Sequence, residues 1–399
     1  MGIGKWVKRL GMFLLPLLAA MYIAGTLIPG SELWPWHPGI LDLEVYQRTG
    51  QMVLAGEDFF HVADGLPWIY PPFAALLSIP FGLVPLEVGA VAWLALCVVA
   101  LGAVLRRLGI HGWWLSLAVA ACILFVEPVR ETIGFGQLGI LLVAAVCLDS
   151  LPSRSSSRPV LRRRNGRILP EGWLTGLATA VKLTPAVIAV YKFFAGERKQ
   201  GLTAFASFCA ATALGFVLYG PSLYYWNALA HGETGVNGSF NYATNQSVMG
   251  VWARLSGTPS SPGLLLSVVV ILLGVIAAIS MHKSGQAAVA LVLAGLTSLL
   301  GSPVSWSHHY VWIVPLGIVF WQAKALPAWY RWLGLAYTAW VALAPFKALP
   351  RDNDVELSYE WWQQLVCNAG VGLGIALLLG AFFAARSMRA EMTPVAAGR

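Results

Sequence analysis

Residues 264–280 read LLLSVVVILLGVIAAIS, a run with no charged side chain and only two serines to interrupt the aliphatics. As a helix rising about 1.5 Å per residue it would be about 25 Å long, close to the ~30 Å hydrocarbon core of a bilayer. The same kind of block recurs at Leu10–Ile28, Leu202–Tyr219 and Val366–Ala385. Across the 399 residues, 58% are hydrophobic and 11% charged, against about 45–50% and about 25% in ordinary soluble domains. That balance excludes a soluble globular protein, a disordered chain and a collagen. The reading is an all-α polytopic membrane protein, a single transmembrane domain over residues 1–399. The 41 glycines and 23 prolines are compatible with this, because spanning helices tolerate them where neighbours satisfy the freed backbone groups.

Charge distribution orients the blocks. A net charge of +8 would suggest nucleic acid in a soluble protein, but in a membrane protein the bias of Lys and Arg toward cytoplasmic loops matters more, and no nucleic-acid partner is expected. Lys5, Lys8 and Arg9 precede the first block and place the N-terminus inside. That block is longer than the h-region of a signal peptide and reads as a retained helix. Residues 29–72 are acidic and read as a first outer loop. Residues 154–170, with Arg154, Arg158 and Arg162–Arg164, read as a cytoplasmic loop, and residues 220–261 as another outer loop. Following the alternation gives ten crossings, N- and C-termini in the cytoplasm, and most of the 26 basic residues inside with most of the 18 acidic residues outside. Gly172–Phe194 breaks the count. It has basic residues at both ends and is interrupted by Lys182-Leu-Thr-Pro185, so it reads as two half-helices forming a re-entrant pair, since proline cannot continue the helical ladder. No internal repeat of the transporter kind is visible. The five cysteines have no CxxC spacing and read as small core residues. Tryptophans near block ends, among them Trp34, Trp36, Trp113, Trp114, Trp306, Trp312, Trp361 and Trp362, read as interface belts.

Five places could carry chemistry. In the first outer loop Leu43, Tyr46, Gly50 and Val53 recur at helical spacing, which predicts an amphipathic helix on the membrane surface with Asp42 at its start. Asp42 is then either the cap of that helix or a general base at the mouth of a cavity, with Glu44 as a second acid. Lys182 is costly inside an apolar hairpin and by default functional; with the backbone N–H groups freed beside Pro185 it would seat a phosphate, and snorkelling to the interface is the alternative. In Ser305-Trp-Ser-His308-His309 a metal site is disfavoured, because adjacent histidines on a helix point about 100° apart and no carboxylate or cysteine sits at ligand spacing. One histidine suits a hydrogen bond to a sugar or phosphate oxygen. Asn245-Gln246-Ser247 to Arg254 is either a polar loop or a ligand-binding one. Glu127, Arg130, Glu131 and Gln137 read as an outer structural ion pair with Gln137 nearby. All of these lie at or can reach the outer side, as one outward cavity would require.

Several motifs in order, Asp42-Leu-Glu-Val-Tyr46, Trp68-Ile-Tyr70-Pro-Pro-Phe73, Gly136-Gln137, Lys182-Leu-Thr-Pro185, Asn245-Gln246-Ser247 and Ser305-Trp-Ser-His308-His309, resemble glycosyltransferase family 87 over nearly the whole chain. The resemblance implies a GT-C-like fold and an enzyme of the bacterial inner membrane. Such an enzyme takes a hexose, typically mannose, from a polyprenyl-phosphate sugar and passes it to a lipid or glycan acceptor on the extracytoplasmic face. It implies Asp42 as catalytic base and Lys182 in the donor-phosphate site. Arg254 and His308 are expected beside that phosphate, and Tyr46, Tyr70, Gln137, Asn245, Gln246 and His309 around the substrate cavity. Trp68 stands where phenylalanine is commoner, a change expected to touch the acceptor surface and not catalysis. The chemistry expected is inverting transfer, with Asp42 deprotonating the acceptor hydroxyl and cationic side chains stabilising the departing phosphate. No nucleotide-binding motif is present. No cofactor is called for, and a divalent cation is left open. Two rivals remain at this point: a lipid-linked sugar flippase, which would favour midplane charges and paired halves, and a glycan ligase or polymerase, which would want a tighter arginine cluster than Arg48, Arg130, Arg254 and Arg351 offer.

Overall fold

The computed structural model describes residues 3–62, 64–151, 162–163, 166–167, 169–218, 222–230, 240–351 and 354–392. Most of the basic loop 154–170, and part of the outer loop 220–261, lie outside the described residues. The helices are α1 (Ile3–Ala24), α2 (Leu41–Ala55), α3 (Pro72–Gly82), α4 (Leu86–Arg107), α5 (Trp113–Phe125), α6 (Glu127–Phe135), α7 (Gly139–Ser150), α8 (Trp173–Val181) and α9 (Ala186–Ala195). They continue as α10 (Arg198–Leu218), α11 (Ser222–Ala230), α12 (Val248–Ser256), α13 (Ser261–Lys283), α14 (Ala287–Leu300), α15 (Ile313–Gln322), α16 (Ala328–Leu343) and α17 (Trp361–Met392). Two antiparallel pairs of two-residue strands, β1 (Glu32–Leu33) with β2 (Trp36–His37) and β3 (Arg162–Arg163) with β4 (Gly166–Arg167), make up the only sheet among the described residues.

The fold class is all-α and membrane-embedded, as expected. The four apolar blocks quoted from the sequence each carry a helix, α1, α10, α13 and α17. Among the described residues four helices, α4, α10, α13 and α17, are long and apolar enough to cross a bilayer alone, and α5 with α6 adds a fifth candidate as a pair bent by 81°. Their apolar side chains stay on the outside. Leu264, Leu265, Val269, Leu272 and Ile276 of α13 and Leu202, Phe205, Val217 and Leu218 of α10 are exposed, a surface that water would not tolerate and lipid does.

Four sequence expectations need correction. Residues 127–135, outside the expected crossings, form the helix α6. Val126 is extended (φ −96°, ψ 106°) and Pro128, with no N–H to donate, sits in the first turn of α6, so the α5 helix cannot run on. Residues 72–82, absent from the crossing count, form the short apolar helix α3. Cys209 is exposed on α10, whereas Cys97, Cys147 and Cys367 are buried as expected; Trp312, assigned to an interface belt, is buried too.

The chain divides into two compact units. The first comprises Met1–Asp149, Ser153–Pro185 and Thr203–Asn237, and the second Ser150–Pro152, Ala186–Leu202 and Gly238–Arg399. In the first, α1 lies against α4, α5 and α6, while α2 packs on α3, α4 and α6. The α2–α3 approach is closer than side chains allow: a Cβ on Gly50 would stand 2.4 Å from the Ser78 carbonyl oxygen. In the second, α13 is flanked by α9, α12, α14 and α17, and α14 is buried from Val289 to Leu300.

Candidate active site

The first polar group lies wholly in the first unit. The amphipathic helix expected from Leu43, Tyr46, Gly50 and Val53 is α2, with Leu43, Tyr46 and Gly50 buried. Asp42 is its second residue. Ile40 occupies the cap position and no side chain caps this end, so the capping reading is corrected: the helix begins at Leu41, two residues before the start at Leu43 that would make Asp42 its N-cap. The Gln137 side chain hydrogen-bonds the carboxylate instead. Glu44, two residues along, is exposed and is not drawn into the group.

Gln137 reaches Asp42 because of the residue before it. Gly136 closes α6 at φ +72°, in the left-handed region that side chains resist. The turn is fixed by Gln137 N–H donating to the Thr132 carbonyl at 2.9 Å. A Cβ on Gly136 would lie 2.9 Å from Leu43 Cβ and 3.2 Å from Leu43 N. Glycine therefore lets the end of α6 touch the start of α2, which brings residue 137 against residue 42. Behind them, Tyr70 Oη donates to Gln137 Oε1 at 3.2 Å and Tyr46 Oη to the same oxygen at 3.5 Å.

An aromatic wall holds the two tyrosines. Tyr46 meets Trp68, Tyr70 and Trp93 edge-on, with ring centroids 5.9, 6.0 and 5.6 Å away, the geometry aromatic pairs favour. Trp68 is buried against Tyr46, Phe59 and Tyr70 as part of this wall. The segment carrying Trp68 and Tyr70 is tied to α2 by Arg48, whose guanidinium donates to the carbonyls of Asp64 and Leu66. Trp93 went unnoticed in the sequence, since a tryptophan inside an apolar block gives no signal beyond core packing.

Lys182 joins from the end of α8. The helix stops at Val181 and Lys182 itself is extended (φ −151°, ψ 129°), with α9 starting after Pro185, so the break falls where the sequence put it. Its Nζ lies 5.4 Å from the Tyr70 ring centroid, and its charge acts on Asp42. At the other end of α8, buried Asp149 accepts from Gly172 N–H at 2.9 Å, Thr175 N–H at 3.1 Å and Thr175 Oγ1 at 2.8 Å. This carboxylate, from the end of α7, anchors the helix N-terminus; the sequence hid it as an acid at the rim of an apolar block.

Burial pushes the Asp42 carboxyl up from the usual 3.8 to about 6, against the lowering effect of the Gln137 hydrogen bond and the Lys182 charge. Burial, with the neighbouring Asp42 charge, also holds both tyrosine hydroxyls above their ordinary value. The result is an acid ionised just below neutral pH, half-buried, fixed by one amide and facing a cation. Such a carboxylate suits proton abstraction near pH 7.

The second polar group belongs to the second unit. Asn245 pairs with Trp306 as a β-bridge and accepts from Ser305 N–H at 3.0 Å; Gln246 donates to the Ala243 and Cys367 carbonyls at 2.7 and 3.1 Å. Ser247 caps α12 by accepting from Gly250 N–H at 3.0 Å. Arg254 is buried and donates to Asn368 Oδ1 at 2.9 Å and to the Tyr242 and Asn245 carbonyls at 2.8 and 3.0 Å. Buried Glu356 accepts from Ala243 N–H at 3.0 Å. In the short 3₁₀ helix Ser307–Trp312, His309 Nδ1 accepts from Trp306 N–H at 3.2 Å, and half-buried His308 stands with its ring nearly perpendicular, 4.6 Å away. Asn245, Gln246, Arg254 and His309 thus all bond to backbone and shape this segment. Among the described residues no three His, Cys, Asp or Glu side chains are grouped to hold a metal ion.

Comparisons with known proteins agree with the motifs. The model of glycosyltransferase family 87 matches residues 68–303, a span holding Tyr70, Gln137, Lys182, Asn245, Gln246 and Arg254; Asp42, Glu44 and Tyr46 precede it, and His308 and His309 follow. The chain is 30% identical to the polyprenol-phosphate-mannose-dependent alpha-(1-2)-phosphatidylinositol mannoside mannosyltransferase of Mycobacterium tuberculosis, with 98% of this chain and 94% of that protein aligned. It is 31% identical to the protein of the same description from Mycolicibacterium smegmatis, over 90% and 87%. A polyprenol-phosphate-mannose-dependent alpha-(1-2)-phosphatidylinositol pentamannoside mannosyltransferase of Mycobacterium tuberculosis is 32% identical over 63% of this chain and 58% of its own length. No solved structure matches. With more than half of the chain covered by the family model and nearly all of it by these relatives, this membrane protein belongs to glycosyltransferase family 87.

Proposed function

We propose that the protein transfers mannose from a polyprenyl-phosphate mannose to a lipid-linked mannoside acceptor, on the extracytoplasmic side of the bacterial inner membrane. The observation that carries this reading is the half-buried Asp42, with its pKa near neutrality, held by Gln137 and facing Lys182, in a chain similar over nearly its whole length to mannosyltransferases of that dependence. Asp42 takes the proton of the acceptor hydroxyl as its oxygen attacks the anomeric carbon from the face opposite the phosphate. The C–O bond to phosphate breaks, and its electron pair leaves on the polyprenyl phosphate. That leaving group is already an anion and needs a cation, not a proton, to depart, which is the role of Lys182. The proton on Asp42 then passes to water. The mechanism uses no cofactor. The outward placement rests on the acidic character of residues 29–72 and the basic character of residues 154–170.

The test is incubation of the purified protein in lipid nanodiscs with radiolabelled polyprenyl-phosphate mannose and a panel of phosphatidylinositol mannosides and other glycolipids. The expected result is label transferred to at least one mannoside lipid and none transferred from a nucleotide-linked mannose. Transfer from the nucleotide sugar, or release of intact donor lipid across the bilayer without any transfer, would overturn it.

A further inference from the structure

We propose that Gln137 is a positioning residue for Asp42, with its amide held one way round by the hydroxyls of Tyr46 and Tyr70 so that its N–H, and never its carbonyl, faces the carboxylate. This rests on Asp42 being the base. The geometry carries it. An amide can turn over, exchanging its donor and acceptor ends, and in most settings both orientations are close in energy. Here both tyrosine oxygens lie on one side of the amide, 3.2 and 3.5 Å from Gln137 Oε1, and Asp42 lies on the other. Both tyrosines are buried and stay protonated: Tyr70 donates its O–H to the carbonyl at 3.2 Å, and Tyr46, which also hydrogen-bonds Tyr70, sets its hydroxyl 3.5 Å from the same oxygen. The carbonyl end is thereby satisfied away from Asp42, and the NH₂ end is aimed at it. Turned the other way, the amide would set its carbonyl against a carboxylate, an arrangement that only a protonated Asp42 could accept.

The relay Tyr O–H to Gln C=O, Gln N–H to Asp carboxylate is therefore directional, and each bond polarises the next. Two consequences follow for the base. One carboxylate oxygen is fixed, which leaves the other for the acceptor hydroxyl. The ionised form is also favoured, partly offsetting burial. The other groups around Asp42 do not substitute for this. Lys182 acts on it as a charge from the end of α8, and Tyr46 and Tyr70 raise no competing charge while protonated. Glu44 and Arg48 share its helix, with Glu44 exposed and Arg48 engaged by Asp64 and Leu66. Packed against α2, α3 has no ionisable side chain, α4 carries Glu87, Arg106 and Arg107, and α6 carries Glu127, Arg130 and Glu131; none of these six is a source of the Asp42 shift.

The experiment is the pH profile of kcat/KM for Tyr46→Phe/Tyr70→Phe and for Gln137→Met, alongside Asp42→Asn. Tyrosine to phenylalanine removes only the two oxygens and leaves the aromatic wall, and Tyr70→Phe alone serves if the double variant does not fold. The acid limb should move up by about one pH unit in both variants, so that activity at pH 5 falls about tenfold relative to the parent, while activity at pH 8 stays within a few-fold for the tyrosine variants. A loss equal at all pH values, with the limb unmoved in every variant, would reduce Gln137 and the tyrosines to packing and overturn the proposal. Asp42→Asn separates the two claims: near-normal turnover there defeats the base assignment, whereas an inactive Asp42→Asn with an unmoved limb in the others defeats only the role of Gln137.

Discussion

Gly136→Ala tests how the site is assembled without touching a reacting group. Two effects add. Alanine at φ +72° costs about 1–2 kcal/mol for the left-handed backbone. Its methyl group would stand 2.9 Å from Leu43 Cβ and 3.3 Å from Ile40 Cβ, neither of which is the free end of a flexible side chain. Relief requires the start of α2 and the end of α6 to part by about half an ångström, an overpacking strain of about 1–3 kcal/mol. The destabilisation should therefore be about 2–5 kcal/mol. Parting these elements lengthens the Gln137–Asp42 contact, and misplacement on the scale of an ångström can reduce rate by about a hundredfold. Gly56→Ala is the internal control: Gly56 has the same φ of +72° but nothing within 4 Å of its Cβ position, so it carries the backbone strain alone. Thermal melting and mannosyl transfer, measured on both variants in the same nanodiscs, should show Gly136→Ala melting lower than Gly56→Ala and losing at least tenfold in turnover, with Gly56→Ala near parental in turnover. Equal melting temperatures with parental turnover in both would refute the close-approach argument.

Four other outcomes are expected. Activity should fall with acid along a limb near pH 6, because Asp42 titrates at about 6 and only its ionised form accepts a proton; a limb near pH 4 in the kcat/KM profile would contradict this. The same raised value means that the fold favours the neutral acid, so stability contributed by protonation is present at low pH and is lost as pH rises toward and through 6, and Asp42→Asn should melt no lower than the parent at pH 7.5. Lys182→Met should weaken binding of a polyprenyl phosphate strongly and Lys182→Arg partly, since arginine keeps the charge without the compact head; unchanged affinity in Lys182→Met by a filter-binding assay would leave Lys182 a packing role. In a background without the native cysteines, Glu57→Cys should react with an impermeant thiol reagent on intact cells and Lys199→Cys should not; the reverse pattern would invert the topology.

Periodicity and composition carried the fold class because a bilayer imposes one simple demand, long apolar helices, and blocks such as 264–280 meet it openly. They were silent on α3 and on the bend at Val126, where short apolar pieces and a proline two residues later decide the path by packing. Asp42 and Lys182 were legible as chemistry because charge next to apolar sequence is conspicuous. What Asp42 does locally was not, since its role as cap or base turned on whether the helix starts at Leu41 or at Leu43, a matter of two residues. Gln137 was legible as a polar residue after Gly136 expected around the substrate cavity, and not as a partner of Asp42. Its function depends on two tyrosines 67 and 91 positions away in the chain, and no spacing announces such a meeting. Asn245, Gln246 and Arg254 were conspicuous as polar residues beside apolar sequence, but the bonds they make to the Phe240, Ala243 and Tyr242 carbonyls of their own unit have no signature in the spacing.

The central claim is that Asp42 is the base of a polyprenyl-phosphate-dependent mannosyl transfer, and Asp42→Asn measures it most directly. Asparagine keeps the size and an oxygen but cannot take the acceptor's proton, and loss of a positioned base commonly reduces rate by about 10²- to 10⁴-fold. The account predicts a variant that folds, binds radiolabelled polyprenyl-phosphate mannose with parental affinity, and transfers at least a hundredfold less label to a mannoside lipid. Transfer within a few-fold of the parent would contradict it and send the search for the base elsewhere, beginning with Glu44.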